Sequence, residues 1–306
     1  MSSAEPDSTT LDSLLTERMD GIGVMLDALP TSELVHLMND GDAEIAGAVR
    51  RQSAAITAVV DAACPRMAGG GRLVYVGAGT SGRLGILDAS EIPPTFGVPP
   101  GRVVGVIAGG SRAITDAVEA AEDSAEQGRA DIDALGVGSL DTVVGIASSG
   151  RTPYVLGAVE RAAEHGCLTV GLSCNAGAPL SAVVEHPLEV VIGQEIVRGS
   201  TRLRAGTATK MVLNMISTLA MVRLGKTYGS LMVDVQATNE KLRHRAVRIV
   251  VTATGTDEDT AHRALAEADW KAKTAIAMIA LDCDQGTANA ALTAAAGRLG
   301  AILEDH

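Results

Sequence analysis

The middle of the chain alternates short apolar runs with segments of helical periodicity, and this alternation limits the folds that the sequence can adopt. The runs are rich in Val and Ile, are bounded by Gly in most cases, and occupy 73–77, 103–108, 142–147, 168–173 and 188–193. Short strands that are apolar at every position are typical of a sheet covered on both faces. Because helical segments separate these runs, the sequence predicts a parallel sheet between layers of helices.

The two ends of the chain are predicted to be helical. Apolar residues recur with a period of about 3.6 from Ala43 to Ala68, and no convincing strand follows after Gly206. We therefore divide the chain into an N-terminal helical arm at 1–45, a central α/β domain at 46–230 and a C-terminal helical domain at 239–306. A helical module of this size has a small core of its own, which favours docking on another surface.

The composition excludes several classes of partner. The 306 residues carry a formal net charge of −12 and 2% aromatic residues, so the chain offers neither a basic face nor stacking platforms for nucleic acid. No apolar run approaches the roughly 18 residues of a membrane span, and the first residues do not resemble a signal peptide. Four separated cysteines without a CxxC pair indicate neither zinc nor a disulfide framework. We expect a cytoplasmic protein that binds neither nucleic acid nor membrane.

Two glycine- and hydroxyl-rich turns follow the first and third apolar runs. The first, GAGTSG at 77–82, has the spacing of a dinucleotide fingerprint, but the next run ends in AGG at 108–110, without the carboxylate that binds the ribose. The second is SSGRTP at 148–153, where Pro153 suits the first turn of a helix. Turns at the carboxyl ends of parallel strands face one crevice. Together they favour a small phosphorylated ligand over NAD, because hydroxyls and helix amides both donate to phosphate oxygens.

The residues in and around these turns resemble the signature of the N-acetylmuramic acid 6-phosphate etherases. The similar segments are GAGTSGRLGILDASEIPPTFG (77–97), AGG (108–110), AEDS (121–124), GIASSGRTPYV (145–155), GSTRLRAGTATK (199–210) and LMVDVQATNEKL (231–242). The resemblance implies a phosphosugar-binding sugar isomerase (SIS) domain, which is a three-layer α/β/α sandwich with a parallel sheet, and a small helical C-terminal domain. It also implies a homodimer that needs no metal or redox cofactor.

The activity that the resemblance implies is a lyase reaction on a phosphosugar. The D-lactyl ether of N-acetylmuramic acid 6-phosphate is cleaved to N-acetylglucosamine 6-phosphate and D-lactate, in amino sugar catabolism and cell-wall recycling. Two alternatives remain open on the same scaffold: a phosphosugar isomerase, which shares the first proton transfer, and a non-catalytic phosphosugar-sensing regulator. A paired acid and base distinguishes the etherase from the sensor, because binding alone needs neither.

Two glutamates match the positions that carry this chemistry in the family. The acid of the DASExPPT motif is Glu91, just before Pro93 and Pro94, where we expect the helix opened by the glycine loop to end. The second family carboxylate falls on Glu122 in AEDS, which we assign as the base. The spacing of Glu119, Glu122 and Glu126 predicts an acidic stripe along one helix face.

The remaining candidates concern the anionic part of the substrate. For the phosphate we select hydroxyl groups of the two turns: Ser81, Ser148, Ser149 and Thr152, with Thr80 as a further candidate. The nearest cations in the sequence are Arg83, Arg151, Arg202 and Lys210, for which a solvent-exposed role is the simpler interpretation. Glu195 is either a third catalytic carboxylate or a structural partner of Arg202 or Arg204.

Overall fold

The structure is a computed structural model that describes residues 25–237 and 239–303. The first 24 residues, which form much of the predicted N-terminal arm, lie outside the described residues, as do 304–306. The chain divides into two compact units: residues to Ala89 with Val103–Ile216, and Ser90–Arg102 with the residues from Ser217 onwards. These units are discontinuous in sequence, and the domain boundaries at 1–45, 46–230 and 239–306 stay a prediction.

A five-stranded parallel sheet lies at the centre of the first unit. Its strands are β1 (Leu73–Gly77), β2 (Val103–Ile107), β3 (Thr142–Ile146), β4 (Leu168–Ser173) and β5 (His186–Glu189). They are ordered β2-β1-β3-β4-β5, and every neighbouring pair is parallel. Each residue of β1, β3 and β4 is buried. The predicted parallel α/β architecture is confirmed.

The fifth strand differs from its prediction. The apolar run at 188–193 suggests a strand there, whereas the structure begins β5 at His186 and ends it at Glu189. The strand lies at the edge of the sheet, where Pro187 is tolerated because no further strand needs its missing N–H. Val190 and Ile192 are buried beyond the end of the strand, so their apolar character reflects burial and not membership of the sheet.

Helices of the first unit cover both faces of the sheet. They are α1 (Thr31–Ala43), α2 (Ile45–Arg51), α3 (Ser53–Ala68), α4 (Gly79–Phe96), α5 (Ala125–Leu135), α6 (Pro153–Glu164), α7 (Pro179–Ala182) and α8 (Arg204–Arg223), of which α4 and α8 continue into the second unit. Val74 and Val76 share a core cluster with Tyr154 of α6. Tyr75 points to the opposite face, as alternation along a strand requires, and its hydroxyl donates to Asp88 of α4 at 2.8 Å.

The starts of β1 and β3 are joined by an ion pair. The guanidinium of Arg72 lies 2.7 Å from the carboxylate of Asp141, whose other oxygen accepts the backbone N–H of Arg72 at 2.7 Å. Burial alone would raise the pKa of Asp141, but these bonds and one from the Gly138 N–H hold it below its usual range. The pair therefore fixes the first residues of two adjacent strands against each other.

Helix α4 extends through Pro93 and Pro94 to Phe96, so the prediction that it ends before the prolines is wrong. The prolines remove two backbone donors from its last turn. The same turn buries Ile92 and Phe96, whose relative exposures are 4% and 5%, and this packing offsets the lost hydrogen bonds. The helix ends instead at Gly97, which has a φ of +62° and donates its N–H to the Pro93 carbonyl at 2.9 Å.

The second unit contains a helical core. Its helices after α8 are α9 (Glu240–Thr254), α10 (Glu258–Glu267), α11 (Ala272–Leu281), α12 (Gln285–Ala294) and α13 (Gly300–Leu303). They share one cluster of buried apolar residues, among them Val250, Leu265 and Ile276. The side chain of Lys273 is buried at its edge, where it pairs with Asp234 and donates to the Gly225 carbonyl at 2.8 Å. None of the helices within the described ranges is both long and apolar enough to cross a membrane.

Candidate functional site

A crevice of about 740 Å³ opens at the carboxyl ends of β1 and β3. These two strands are neighbours at the point where the strand order reverses, which is where open α/β sheets bind their ligands. Both predicted turns contribute to its walls, so the expectation that they face one crevice is confirmed. The polar residues that line it are Thr80, Ser81, Glu122, Asp123, Ser148, Ser149, Arg151, Thr152 and Thr201.

The turn between β1 and α4 depends on close approach of the backbone. A Cβ atom at Gly82 would lie 2.5 Å from Cγ1 of Ile107 and 2.8 Å from the carbonyl oxygen of Gly77, which leaves no room for a side chain. Because α4 begins at Gly79, the N–H groups of its first turn have no acceptor within the helix. Thr80 and Ser81 lie in this turn and line the crevice. The first wall thus combines hydroxyls with helix amides, as an anion site requires.

The turn between β3 and α6 has the same character. Gly150 adopts a φ of +67°, and a Cβ there would lie 2.4 Å from Cβ of Ala178, so the position admits only glycine. The N–H of Arg151 donates to the Ser149 hydroxyl oxygen at 3.2 Å. Thr152 precedes α6 but makes no capping hydrogen bond with its side chain, and Pro153 opens the helix. The second wall therefore presents the hydroxyl groups of Ser148, Ser149 and Thr152, and the turn holds these residues in place.

Glu122 lies at the crevice, but not on the helix that the sequence suggests. It belongs to a short 3-10 turn at Ala121–Asp123, and α5 begins only after Ser124, whose hydroxyl accepts the Gln127 N–H at 3.1 Å. The prediction of one acidic helix face through Glu119, Glu122 and Glu126 is therefore wrong. The Ser124 cap, a common helix-start signal, identifies this boundary in the sequence.

The turn that carries Glu122 also brings in a second carboxylate. Asp123 lines the crevice beside Glu122, although its position in the sequence does not distinguish it from other surface carboxylates. Glu119 and Glu126 are not among the lining residues. Of the three glutamates with helical spacing in the sequence, Glu122 is therefore the one that lines the crevice.

Glu91 is not among the residues that line this crevice. It is exposed, stands within α4 ten positions after Ser81, and belongs to the second compact unit. The structure brings together the six other predicted residues, namely Glu122 and the five hydroxyl-bearing ones, but it does not place Glu91 with them. Its role as the acid stays a prediction.

The remaining charged candidates comprise one crevice residue, two with structural hydrogen bonds and two exposed ones. Arg151 lines the crevice. Arg83 instead donates to the carbonyl oxygens of Ile114 at 3.0 Å and Asp116 at 2.8 Å. Glu195 is buried and accepts the backbone N–H groups of Arg204 and Ala205, both at 2.9 Å, which caps the start of α8. Arg202 and Lys210 are exposed and do not line the crevice.

The sheet order and the polar crevice at its switch point define an α/β protein with the architecture of a ligand-binding doubly wound fold. In agreement with this class, residues 55–163 match the family model of the glucokinase regulatory protein N-terminal SIS domain. The chain is also similar over almost its whole length to curated N-acetylmuramic acid 6-phosphate etherases. That of Rubrobacter xylanophilus is 57% identical, covering 96% of this chain and 97% of the relative.

Two further relatives give the same result. The etherase of Streptomyces coelicolor is 54% identical over 96% of this chain and 94% of its own length. That of Cronobacter sakazakii is 49% identical over 96% of this chain and 99% of its own length. The chain belongs to the N-acetylmuramic acid 6-phosphate etherase family.

Proposed function

We propose that the protein is a carbon–oxygen lyase that cleaves the D-lactyl ether of N-acetylmuramic acid 6-phosphate, releasing D-lactate and N-acetylglucosamine 6-phosphate. The observation that carries the proposal is the identity of 57% to an etherase across nearly the full length of both chains. The crevice supports it, because hydroxyls and helix amides from two turns suit the phosphate of such a substrate. The reaction belongs to amino sugar catabolism in the cytoplasm.

The chemistry follows from the open-chain form of the sugar. An aldehyde at C1 makes the C2 proton acidic, and the Glu122 carboxylate removes it. The electron pair left at C2 is held as an enolate with the C1 oxygen; it then forms the C2–C3 double bond as the C3–O bond breaks, and the carboxylic acid of Glu91 protonates the lactate oxygen. Water then adds at C3 and a proton returns to C2, which gives the product. Each proton transfer by a positioned carboxylate contributes roughly 10²- to 10⁴-fold in rate.

The phosphate is assigned to the two hydroxyl-bearing walls. Ser81 and Thr80 lie on the first wall, at the N-terminus of α4, whose first N–H groups lack partners within the helix. Ser148, Ser149 and Thr152 lie on the second wall, at the N-terminus of α6, which opens with Pro153 and offers mainly hydroxyl groups. This arrangement binds an anion without a net positive field, which a chain with a charge of −12 does not supply. The family resemblance also implies that the protein is a homodimer. A measurement of its molar mass in solution tests this proposal.

Purified protein incubated with N-acetylmuramic acid 6-phosphate is the direct test of the proposed function. We expect stoichiometric D-lactate and N-acetylglucosamine 6-phosphate, measured by an enzyme-coupled lactate assay and by mass spectrometry. Folded protein that releases no lactate contradicts the proposal. Conversion of a phosphosugar to an isomer would then indicate an isomerase, and binding without any product would indicate a sensor.

Replacing Ser148 and Ser149 together with alanine should weaken binding of phosphorylated sugars by about 10- to 100-fold, because two donors to a charged group are lost. Calorimetric titration with N-acetylglucosamine 6-phosphate and with N-acetylglucosamine measures the effect. Ser139→Ala, a serine outside the crevice lining, is the matched control. Equal weakening of binding for both sugars would contradict the assignment of the phosphate to these hydroxyls.

A further inference from the structure

The lining of the crevice contains a single cation among the residues that the structure describes, and it is Arg151. Two carboxylates, Glu122 and Asp123, line the same space. A substrate with two anionic groups must therefore find most of its favourable contacts in amides and hydroxyls, with one guanidinium available in addition. The position of that guanidinium decides which anionic group it serves.

The hydrogen bonding of Arg151 differs from that of the paired arginines of the first unit. Its Nε atom is buried and has no hydrogen-bond partner among the described residues, and no described carboxylate pairs with its guanidinium. The guanidinium groups of Arg72, Arg129 and Arg161, in contrast, each bind at least one carboxylate at 2.9 Å or less. Nε of Arg204 also lacks a partner, but its other nitrogens bind Glu44 and the Gln194 carbonyl. A buried donor without an acceptor is costly, so a ligand that supplies one is favoured.

The backbone holds Arg151 between the hydroxyls that are assigned to the phosphate. Its N–H is bound to the Ser149 hydroxyl, and Thr152 and Pro153 follow as the start of α6. The hydroxyls and amides of this wall act close to the backbone, whereas an arginine side chain is long enough to reach a group several ångströms from its own turn, and Arg151 lines the crevice. The same wall can therefore contact two separate anionic groups of one ligand.

We propose that the Arg151 guanidinium binds the lactyl carboxylate of N-acetylmuramic acid 6-phosphate and so selects the substrate over sugars that lack it. This inference rests on the proposed function. The planar guanidinium matches a carboxylate with two parallel N–H···O bonds, a geometry that a hydroxyl or an ammonium group does not offer. The pair holds the leaving lactate while its oxygen receives a proton, and the contact disappears from the product sugar once lactate has left.

The test compares two ligands that share the phosphate and differ in the lactyl group. For Arg151→Gln we expect the affinity for N-acetylmuramic acid 6-phosphate to fall roughly 10- to 100-fold, as for one lost charged hydrogen-bonded pair. The affinity for N-acetylglucosamine 6-phosphate should change less than about twofold, because that sugar has no carboxylate for Arg151 to bind. Arg151→Lys should recover only part of the loss, since lysine keeps the charge without the planar fork. Arg112→Gln, at an exposed arginine with the same charge change, is the control.

Three outcomes overturn the inference. Equal weakening for both ligands would place Arg151 on the phosphate, no change for either would remove it from the ligand, and full recovery in Arg151→Lys would reduce its role to charge. If Arg151→Gln fails to fold, the wild-type protein is titrated with the methyl ester of the lactyl carboxylate, which should bind roughly 10-fold or more weakly than the acid. Failure of the proposed function is seen separately, because wild-type protein would then release no lactate whatever its affinities.

Discussion

Replacing Glu91 with glutamine is expected to lower D-lactate release from N-acetylmuramic acid 6-phosphate by about 10²- to 10⁴-fold while the substrate still binds. The amide keeps the size of the side chain and removes the proton that the departing oxygen needs. Glu91 is exposed, so the substitution should leave the melting temperature of the free protein unchanged. A coupled lactate assay and a thermal shift with and without substrate measure the two effects.

The matched control for Glu91 is Glu267→Gln, an exposed glutamate at the end of α10 in the same compact unit. It should retain wild-type lactate release. Loss of the substrate-induced thermal shift in Glu91→Gln would mean that Glu91 holds the substrate and does not act as the acid. Wild-type activity in that variant would show that Glu91 has no role in the reaction.

Replacing Glu122 with glutamine should reduce lactate release by a similar factor of about 10²- to 10⁴-fold, but at the earlier step. Without the base the C2 proton stays in place, so the substrate recovered from deuterium oxide should carry no deuterium at C2. Glu91→Gln, in contrast, keeps the base and should still exchange this proton while releasing little lactate. Proton nuclear magnetic resonance of the recovered sugar follows the exchange.

The two neighbouring glutamates provide the controls for Glu122. Glu119→Gln and Glu126→Gln remove the same charge from exposed side chains that do not line the crevice, and both should retain activity. Retained C2 exchange in Glu122→Gln would assign the base to another group. Equal losses in all three variants would indicate that the local negative charge matters and that no single carboxylate is the base.

The sheet could be predicted from the sequence because burial on both faces produces a simple pattern of apolar residues. A strand such as β1, with every residue buried, is apolar throughout, and no surface pattern is mixed with it. The limits of the edge strand β5 could not be predicted in this way, because buried apolar residues such as Val190 follow its last residue. Strand limits are set by backbone pairing, and pairing has no direct signature in side-chain type.

The candidate site was predictable to the extent that it depends on local backbone. Glycines and hydroxyls at 77–82 and 148–153 define strand-to-helix turns, and parallel topology brings such turns together. The path of the chain around Glu122 was not predictable from charge spacing, because the Ser124 cap starts α5 later than that spacing suggests. The end of α4 was predicted wrongly for a related reason. Burial of Ile92 and Phe96 outweighed the local preference of the prolines after Glu91 to end a helix.

Arg151 shows a different limit of the sequence. Four cations near the turns looked equivalent, and surface exposure was the simplest interpretation for each. Only the structure shows that the Arg83 guanidinium donates to carbonyl groups, while Nε of Arg151 is buried and has no hydrogen-bond partner within the described part of the chain. Which of several similar side chains lacks an acceptor depends on contacts between distant segments.

The order of the strands also determines when the crevice can form during synthesis. The pair that joins the starts of β1 and β3, Arg72 and Asp141, links residues 69 positions apart. Until the ribosome has released the third strand, the first glycine turn has no second wall, and its amides remain in water. Pairings of such long range close large loops and are slow to form. The crevice therefore depends on this non-local pairing, and a chain truncated before β3 contains the GAGTSG turn at 77–82 without the second wall.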